Sequence, residues 1–208
     1  MSTCFKKTYT YHRGVIFKGV LFTMEFIPSK IPEVILIRPQ VFGDHRGFFM
    51  ETWQRQHFAE NGIDADFVQD NHSKSSHGIL RGLHYQLIQP QGKLVRVIKG
   101  AVFDVAVDLR KNSPTFGRWV GYELSADNKH MLWVPPGFGH GFYVMSEMAE
   151  FVYKCTDYYA PEHEGCIRWN DPQLNIDWHL VDGKEPVLSD KDATATLLAD
   201  AKIFEGDL

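Results

Sequence analysis

The feature of this sequence that most constrains its fold is a series of short apolar segments from residue 93 onward. Gly, Pro, Asn and Asp separate these segments, which cover residues 94–98, 102–109, 119–124, 131–134, 141–144 and 151–156. In 102–109, Asp104, Ala106 and Asp108 alternate with larger apolar residues, and Gly100 joins this segment to the preceding one as a predicted hairpin. Short strands at such regular intervals predict an all-β sandwich or barrel.

The chain before residue 93 gives a weaker pattern. Strands are predicted over residues 34–37, 48–52 and 78–86, a turn over 42–47, and a polar loop over 71–76. The spacing of apolar residues over 53–61 predicts a helix that stops at Gly62. A second helix is predicted over 192–201, with Ser189 or Asp190 as its N-cap. The fold class is therefore all-β with a few short helices.

Residues 1–23 differ from the rest of the chain. They carry four basic residues and one weakly apolar run, 15–23, which is too short for a membrane span. No small-x-small cleavage site of a signal peptide follows, and Met24 is a possible alternative start. We interpret 1–23 as an N-terminal extension of unclear role. No linker interrupts residues 24–208, which are predicted to form a single domain.

The overall composition argues against several classes of protein. The 208 residues are 44% hydrophobic and 23% charged, which is ordinary for a globular protein with a core. The net charge of -4 gives no electrostatic case for binding nucleic acid or an anionic membrane. The three cysteines are odd in number and lack CxxC spacing, which argues against a disulfide framework or a structural zinc site.

One strand-like motif, residues 78–86, carries the side chains best suited to chemistry. It contains Arg81 and His84, and Lys93 opens the next apolar segment. A histidine can accept and return a proton near neutral pH, and the flanking cations suit a carbon acid that is carried on an anionic group. The same residues also fit an ordinary strand with an incidental histidine and exposed basic side chains.

Motifs for metal or cofactor binding are incomplete. His140 ends the PxGxxH half of a metal-binding cupin signature, but the HxH half is missing, because Tyr85 and Gln86 follow His84. Two isolated imidazoles are a poor zinc or iron site. The chain also lacks GxGxxG, GxxxxGK[ST] and GxSxG motifs. The sequence therefore predicts no metal and no cofactor, and it leaves proton transfer as the chemistry to consider.

Tyrosines and one aspartate complete the set of candidate proton-transfer residues. A phenol such as that of Tyr153 or Tyr159 can donate a proton to an enolate formed beside it. Asp192 could orient a histidine or could be no more than a carboxylate at a helix start. Spacing alone does not link Asp192 to His84.

Several longer motifs are more specific. In chain order from Met24 they are FGDHRGFFMETW, QDNHS, GILRGLHYQ, QGKLVRVIKGAVFDVAVDLR, SPTFGRW, WVPPGFGHGF, AEFVYKCTDYYAPEHEGCIRWND and LSDKDA. Through them the chain resembles the dTDP-4-dehydrorhamnose 3,5-epimerase family. The resemblance implies a cupin-type double-stranded β-helix, or jelly roll. It also implies a cytoplasmic isomerase that inverts carbons 3 and 5 of dTDP-4-dehydro-6-deoxy-D-glucose in dTDP-L-rhamnose biosynthesis.

The resemblance also implies roles for individual residues. His84 matches the general base, Asp192 the carboxylate that orients it, Tyr153 the acid on the opposite face of the sugar, and Lys93 the cation beside the ketone oxygen. The matching substrate-binding positions are Arg46, Glu51, Gln69, Asn71, Arg81, His140, Tyr159, Glu164 and Lys191. The family needs no metal or cofactor, and it forms homodimers in which the partner subunit's Arg46 reaches each site.

Three alternatives remain open from the sequence. A related enzyme that inverts one carbon, or a ketoisomerase, could use the same base and acid. A sugar-binding cupin without activity would not need either of them. A metal-dependent cupin enzyme would need a ligand set that the sequence does not supply.

Overall fold

The computed structural model describes residues 16–17, 20–21 and 24–206, so most of the predicted N-terminal extension lies outside the described residues. The first strands are β1 (Ile16–Phe17), β2 (Val20–Leu21), β3 (Glu25–Pro28), β4 (Ile35–Arg38), β5 (Val41–Asp44), β6 (Gly47–Met50), β7 (Gln69–Ser76) and β8 (Leu80–Gln86). The later strands are β9 (Lys93–Lys99), β10 (Ala101–Asp108), β11 (Trp119–Ser125), β12 (Met131–Val134), β13 (Phe138–Val144), β14 (Met148–Cys155) and β15 (Glu164–Cys166). The α-helices are α1 (Arg55–Glu60) and α2 (Asp190–Ala193), and short 3-10 turns cover Pro161–His163, Val181–Gly183 and Leu198–Asp200.

Two antiparallel sheets form the body of the protein. One has the strand order β11-β10-β13-β8-β15, and the other has the order β3-β4-β12-β9-β14-β7. The hairpin β5–β6 and the pair β1–β2 are separate two-stranded sheets. The arrangement confirms the all-β prediction, and the helix expected over 53–61 is present as α1.

The core lies between the two sheets because alternate residues of each strand point to the same side. Apolar side chains from both sheets meet there, among them Val95, Val102, Leu132, Phe142 and Phe151. A second cluster covers the outer face of the five-stranded sheet, where the chain after β15 packs with Trp178 and Leu198 on strand residues such as Leu83 and Tyr85. A third cluster packs Phe58 of α1 on the outer face of the six-stranded sheet.

Two local predictions are wrong. Residues 71–76 are not a loop but part of β7, which pairs along its whole length with β14 from Gln69↔Cys155 to Ser76↔Met148. The strand lies at the edge of the six-stranded sheet and carries polar residues on both faces. It therefore lacks the apolar alternation by which strands are recognised in a sequence.

The helix predicted over 192–201 is also wrong, because α2 ends at Ala193. The following residues are held by the rest of the fold instead. Thr196 bridges to Ile167, and the Asp171 carboxylate accepts a hydrogen bond from the backbone N–H of Leu198 at 2.7 Å. Ser189 is the N-cap of α2, as predicted, and its hydroxyl accepts from the backbone N–H of Asp192.

The turn predicted over 42–47 is confined to residues 45 and 46, because residues 42–44 belong to β5, a strand that was not predicted, and Gly47 begins β6. In the described part of the chain, no helix is long and apolar enough to cross a membrane.

Candidate active site

Polar side chains line the space between the sheets at one end of the barrel. His84 and His140 are paired residues on β8 and β13 of the five-stranded sheet. Tyr153 and Lys93 come from β14 and β9 of the six-stranded sheet, where they share a face with core residues such as Val95 and Phe151. The two sheets therefore present a histidine from one side and a phenol from the other.

A close approach of β8 and β13 positions the two histidines. Gly82 has a φ of +131°, and a Cβ at this position would lie 2.5 Å from Cα of Gly141 and 2.9 Å from the carbonyl oxygen of His140. Real side chains do not approach a backbone so closely, so glycine is required there. The register of the pair shifts between His140 and Phe142, next to this contact.

His84 and Asp192 form a hydrogen-bonded pair. Nε2 of His84 lies 2.5 Å from Oδ1 of Asp192, and the Asp192 side chain is 3% exposed. Ser189 donates from its hydroxyl to Oδ2 at 2.9 Å, and the Cys166 thiol lies 3.6 Å from Oδ1. Burial alone would raise the pKa of Asp192, but the hydrogen bond and charge of His84, with help from Ser189 and Cys166, lower it overall. The Asp192 side chain is therefore an ionised carboxylate at neutral pH.

Burial shifts the pKa values of Tyr153 and Lys93 in opposite directions. Burial, reinforced by Cys155, raises the pKa of Tyr153 to about 12, so its phenol keeps its proton at neutral pH. Lys93 is 9% exposed, and its burial lowers the pKa of the ammonium group. Cys155, Glu164 and Asp104, in that order, oppose that shift.

Five of the predicted binding residues form one hydrogen-bonded chain. The backbone N–H of Tyr159 donates to Oε1 of Gln69 at 2.9 Å, and Nε2 of Gln69 donates to Oδ1 of Asn71 at 3.1 Å. On the other side, the hydroxyl of Tyr159 donates to Glu164 at 3.1 Å, and the ammonium of Lys191 lies 2.7 Å from the same carboxylate. The side chains of Tyr159 and Lys191 are exposed enough to meet a ligand.

Arg81 is exposed on β8, and its Nε donates to the hydroxyl of Ser75 at 3.0 Å. Arg46 and Glu51 make their own ion pairs with residues outside the predicted site. Arg46 forms a short ion pair with Asp44 at the tip of the β5–β6 hairpin, and 79% of its side chain is exposed. Glu51 lies 3.7 Å from His57 on α1. In the described part of the chain, no hydrogen bond or ion pair joins either residue to the other predicted site residues.

The structure adds residues that the sequence did not indicate. Asp104 is fully buried, and both of its carboxylate oxygens lie 3.0 Å from Nε2 of His140. Cys166 and Ser189 contact Asp192. The ligand atoms of His84, Cys166 and Asp192 lie within 4.8 Å of one another, which is close enough to hold a metal ion. The absence of a metal from the reaction therefore stays a prediction.

The fold and this group of side chains define a class: an antiparallel β-barrel of the cupin type with a histidine–carboxylate pair on one sheet and a protonated tyrosine on the other. Comparison with known proteins gives the family. Residues 28–200 match the family model of dTDP-4-dehydrorhamnose 3,5-epimerase, and the chain belongs to this family.

Individual relatives agree with that assignment. The dTDP-4-dehydrorhamnose 3,5-epimerase of Pseudomonas aeruginosa is 61% identical over 84% of this chain and 96% of its own length. A solved 3,5-epimerase of Legionella pneumophila in complex with dTDP-4-keto-L-rhamnose is 53% identical, with a TM-score of 0.85 over 89% of this chain and 100% of that one. These similarities confirm the predicted cupin-type fold and the prediction of an epimerase of dTDP-rhamnose biosynthesis.

A relative with a narrower activity also has this fold. A 3'-monoepimerase of Streptomyces bikiniensis in complex with dTDP-quinovose is 36% identical, with a TM-score of 0.77 over 83% of this chain and 87% of that one.

Proposed function

We propose that this protein converts dTDP-4-dehydro-6-deoxy-D-glucose into dTDP-4-dehydro-L-rhamnose by inverting carbons 3 and 5. The observation that carries the proposal is that His84 and Tyr153 lie on opposite sheets and face the space between them. Inversion requires a proton to leave one face of the sugar and another to arrive at the opposite face. A base and an acid on opposite walls meet that requirement.

His84 is the proposed base. Asp192 binds Nε2, which leaves Nδ1 to face the substrate and accept a proton. The carboxylate stabilises the imidazolium that forms and fixes the tautomer of the neutral ring. Both carbons next to the ketone at carbon 4 are acidic enough for this step, because each gives an enolate.

Tyr153 is the proposed acid, and Lys93 stabilises the enolate. A phenol with a pKa of about 12 is protonated at neutral pH and donates readily to a carbanion-like carbon beside it. The negative charge that develops on the ketone oxygen is stabilised by the buried ammonium of Lys93, where the low dielectric strengthens the attraction.

The remaining predicted residues bind the nucleotide. Arg81 is suited to the diphosphate, since guanidinium groups bind phosphate in a bidentate manner. The hydrogen-bonded chain from Asn71 to Lys191 supplies directional contacts for the sugars and the base, to which Tyr159 adds an exposed ring. His140 is paired with His84 on the neighbouring strand. No metal or organic cofactor takes part in this scheme.

A homodimer would complete the site. In the described part of one chain, no hydrogen bond or ion pair joins Arg46 or Glu51 to the other site residues. Both lie in or next to the β5–β6 hairpin, which exposes Phe42, Phe48 and Phe49. Such a group of exposed aromatic side chains favours an interface with another chain. The partner subunit's Arg46 is then available for the diphosphate. We place the enzyme in the cytoplasm, with no nucleic-acid or membrane partner.

Deuterium incorporation tests the proposal against the single-carbon alternative that the Streptomyces relative represents. Purified protein is incubated with the substrate in deuterated water and followed by proton NMR. The proposal requires deuterium at carbons 3 and 5 and the appearance of the doubly inverted sugar. Exchange and inversion at one carbon alone would show a monoepimerase instead. Loss of activity with a chelator, restored by zinc or iron, would support the metal-dependent alternative.

A further inference from the structure

Three side chains that can bind a metal ion meet beside the proposed base, and each comes from a different element. His84 lies on β8, Cys166 is its direct partner on β15, and Asp192 lies on α2. Directly paired residues of neighbouring strands point to the same side of the sheet, so the thiol lies next to the imidazole. One possible ligand atom of each residue lies within 4.8 Å of those of the other two.

The distances among these atoms are close to those of a tetrahedral zinc site. Zinc binds nitrogen and oxygen at about 2.0 Å and sulfur at about 2.3 Å, so ligand atoms in such a site lie about 3.3–3.6 Å apart. Sγ of Cys166 already lies 3.6 Å from Oδ1 of Asp192. Nε2 of His84 lies 2.5 Å from the same oxygen, and zinc would require these two atoms to separate by less than about 1 Å.

The surroundings of the three residues suit a bound ion. The hydroxyl of Ser189 donates to Oδ2 of Asp192 at 2.9 Å, and such an outer contact orients a carboxylate whose other oxygen binds a metal. Cys166 is a free, half-buried thiol, and the His84 side chain is 28% exposed, so an ion can reach both. A set of one nitrogen, one sulfur and one oxygen favours zinc over magnesium or calcium, which prefer oxygen alone.

Zinc at this position would disable His84 as a base. A neutral imidazole carries one proton, which in the proposed mechanism lies on Nε2 and is donated to Asp192, so that Nδ1 is free to accept another. When zinc binds Nε2, the proton of the neutral ring must lie on Nδ1 instead, and Nδ1 can no longer accept one. Either a proton or zinc can therefore join His84 to Asp192, and the base is active with the proton alone.

We propose that His84, Cys166 and Asp192 form a zinc site whose occupation reversibly inhibits the enzyme. On binding, the Cys166 thiol becomes a thiolate and its proton passes to the buffer, while zinc keeps its oxidation state. The inference rests on the proposed function for its effect on turnover, and binding of the ion can be measured without turnover.

Zinc titration during turnover tests the inhibition, with free zinc fixed by a metal buffer because the substrate's diphosphate also binds the ion. Saturating zinc should lower kcat of the wild type by about 10²-fold or more, the scale of a lost base, with KM little changed. A chelator should restore the rate. Magnesium should not inhibit, because it prefers oxygen ligands.

Cys166→Ser removes the sulfur ligand with little change in shape, and Cys155→Ser is the matched control. Cys155 is the other cysteine in the described part of the chain, and it lies on β14 of the opposite sheet. Each variant is compared with its own rate in chelator. Cys155→Ser should be as sensitive to zinc as the wild type. Loss of an outer contact alone weakens metal binding about 10–100-fold, so Cys166→Ser should require about 100-fold more zinc or more. If Cys166→Ser does not fold, Cys166→Ala gives the same test.

Cobalt reports on the ligands without any turnover. Co²⁺ binds the same kinds of ligand as zinc, and a thiolate ligand gives a sulfur-to-cobalt charge-transfer band in the near ultraviolet. The band should appear in the wild type and in Cys155→Ser and should be missing from Cys166→Ser, whether or not the protein proves to be an epimerase. A wild type without the band, equal zinc sensitivity of Cys166→Ser and the wild type, or full activity with zinc bound would each overturn the inference.

Discussion

His84 and His140 are paired on neighbouring strands, and each imidazole is bound through Nε2 to its own carboxylate, Asp192 for the first and Asp104 for the second. The two pairs differ in exposure. The His84 side chain is 28% exposed and His140 is 8% exposed. A ligand in the cavity can therefore reach His84 more easily, which supports His84 as the base and His140 as part of the wall.

His84→Asn should remove the base while keeping a polar side chain of similar size. We expect kcat to fall by about 10²-fold or more, the usual scale for a positioned base, with nucleotide affinity retained. The assay is turnover by NMR together with calorimetric binding of dTDP. His77→Asn is the control, because His77 is exposed and bonds to the backbone oxygen of Ser146. Similar losses in both variants would contradict the assignment.

Asp192→Asn should reduce activity. It should also remove the part of the free energy of unfolding that depends on an ionised Asp192. The pKa of Asp192 is lower in the folded protein than its usual value, so its charged interactions stabilise the fold above that value and are lost as pH falls through the folded pKa. The variant lacks this contribution, which for a buried charged hydrogen bond is about 1–3 kcal/mol. Melting temperatures of the two proteins should differ at neutral pH and converge in acid. A difference independent of pH would argue against an ionised Asp192.

The sequence predicted the strands of the barrel well where apolar residues alternate, as they do from Leu94 to Phe151. It failed for β7, because the strand lies at a sheet edge and carries polar residues on both faces. It also failed after Ala193, where contacts of Thr196 and Leu198 with distant residues decide the conformation.

For the candidate site, too, some residues were predicted before the structure and some contacts could not be. The resemblance to a family named His84 and Tyr153, but no spacing rule could join His84 to Asp192 across 108 residues of chain. Asp104 alternates with apolar residues, as an exposed strand residue would, and nothing local marks it as buried. Such contacts depend on how the two sheets pack, which the sequence pattern does not encode locally.

Tyr153→Phe should separate proton removal from proton return. The ring is retained, and the donor that we assign to the opposite face is lost. We expect formation of the inverted product to fall by about 10²-fold or more, while His84 still exchanges substrate protons with deuterated solvent. Tyr143→Phe is the control, because it removes a phenol that accepts a hydrogen bond from the backbone of Val181 at 3.3 Å, in the cluster outside the five-stranded sheet. If Tyr153→Phe kept full product formation, another acid would have to be found.

Mixing two inactive variants should restore activity if two chains build each site. Arg46→Ala should disable the site of the neighbouring subunit, and His84→Asn should disable the site of its own subunit. A mixed dimer then holds one site with the native His84 and the partner subunit's native Arg46. Random exchange makes half of the dimers mixed, so activity should recover to about a quarter of the wild-type value.

The control for this mixing experiment is a third variant that prevents association. Phe49 is 70% exposed on the same hairpin as Arg46, and a charge at this position should oppose burial in an interface. Phe49→Asp should elute as a smaller species in size-exclusion chromatography. When the Phe49→Asp substitution is introduced into both the His84→Asn and the Arg46→Ala chains, mixing them should restore no activity. No recovery between subunits that do associate would show that each chain builds its site alone.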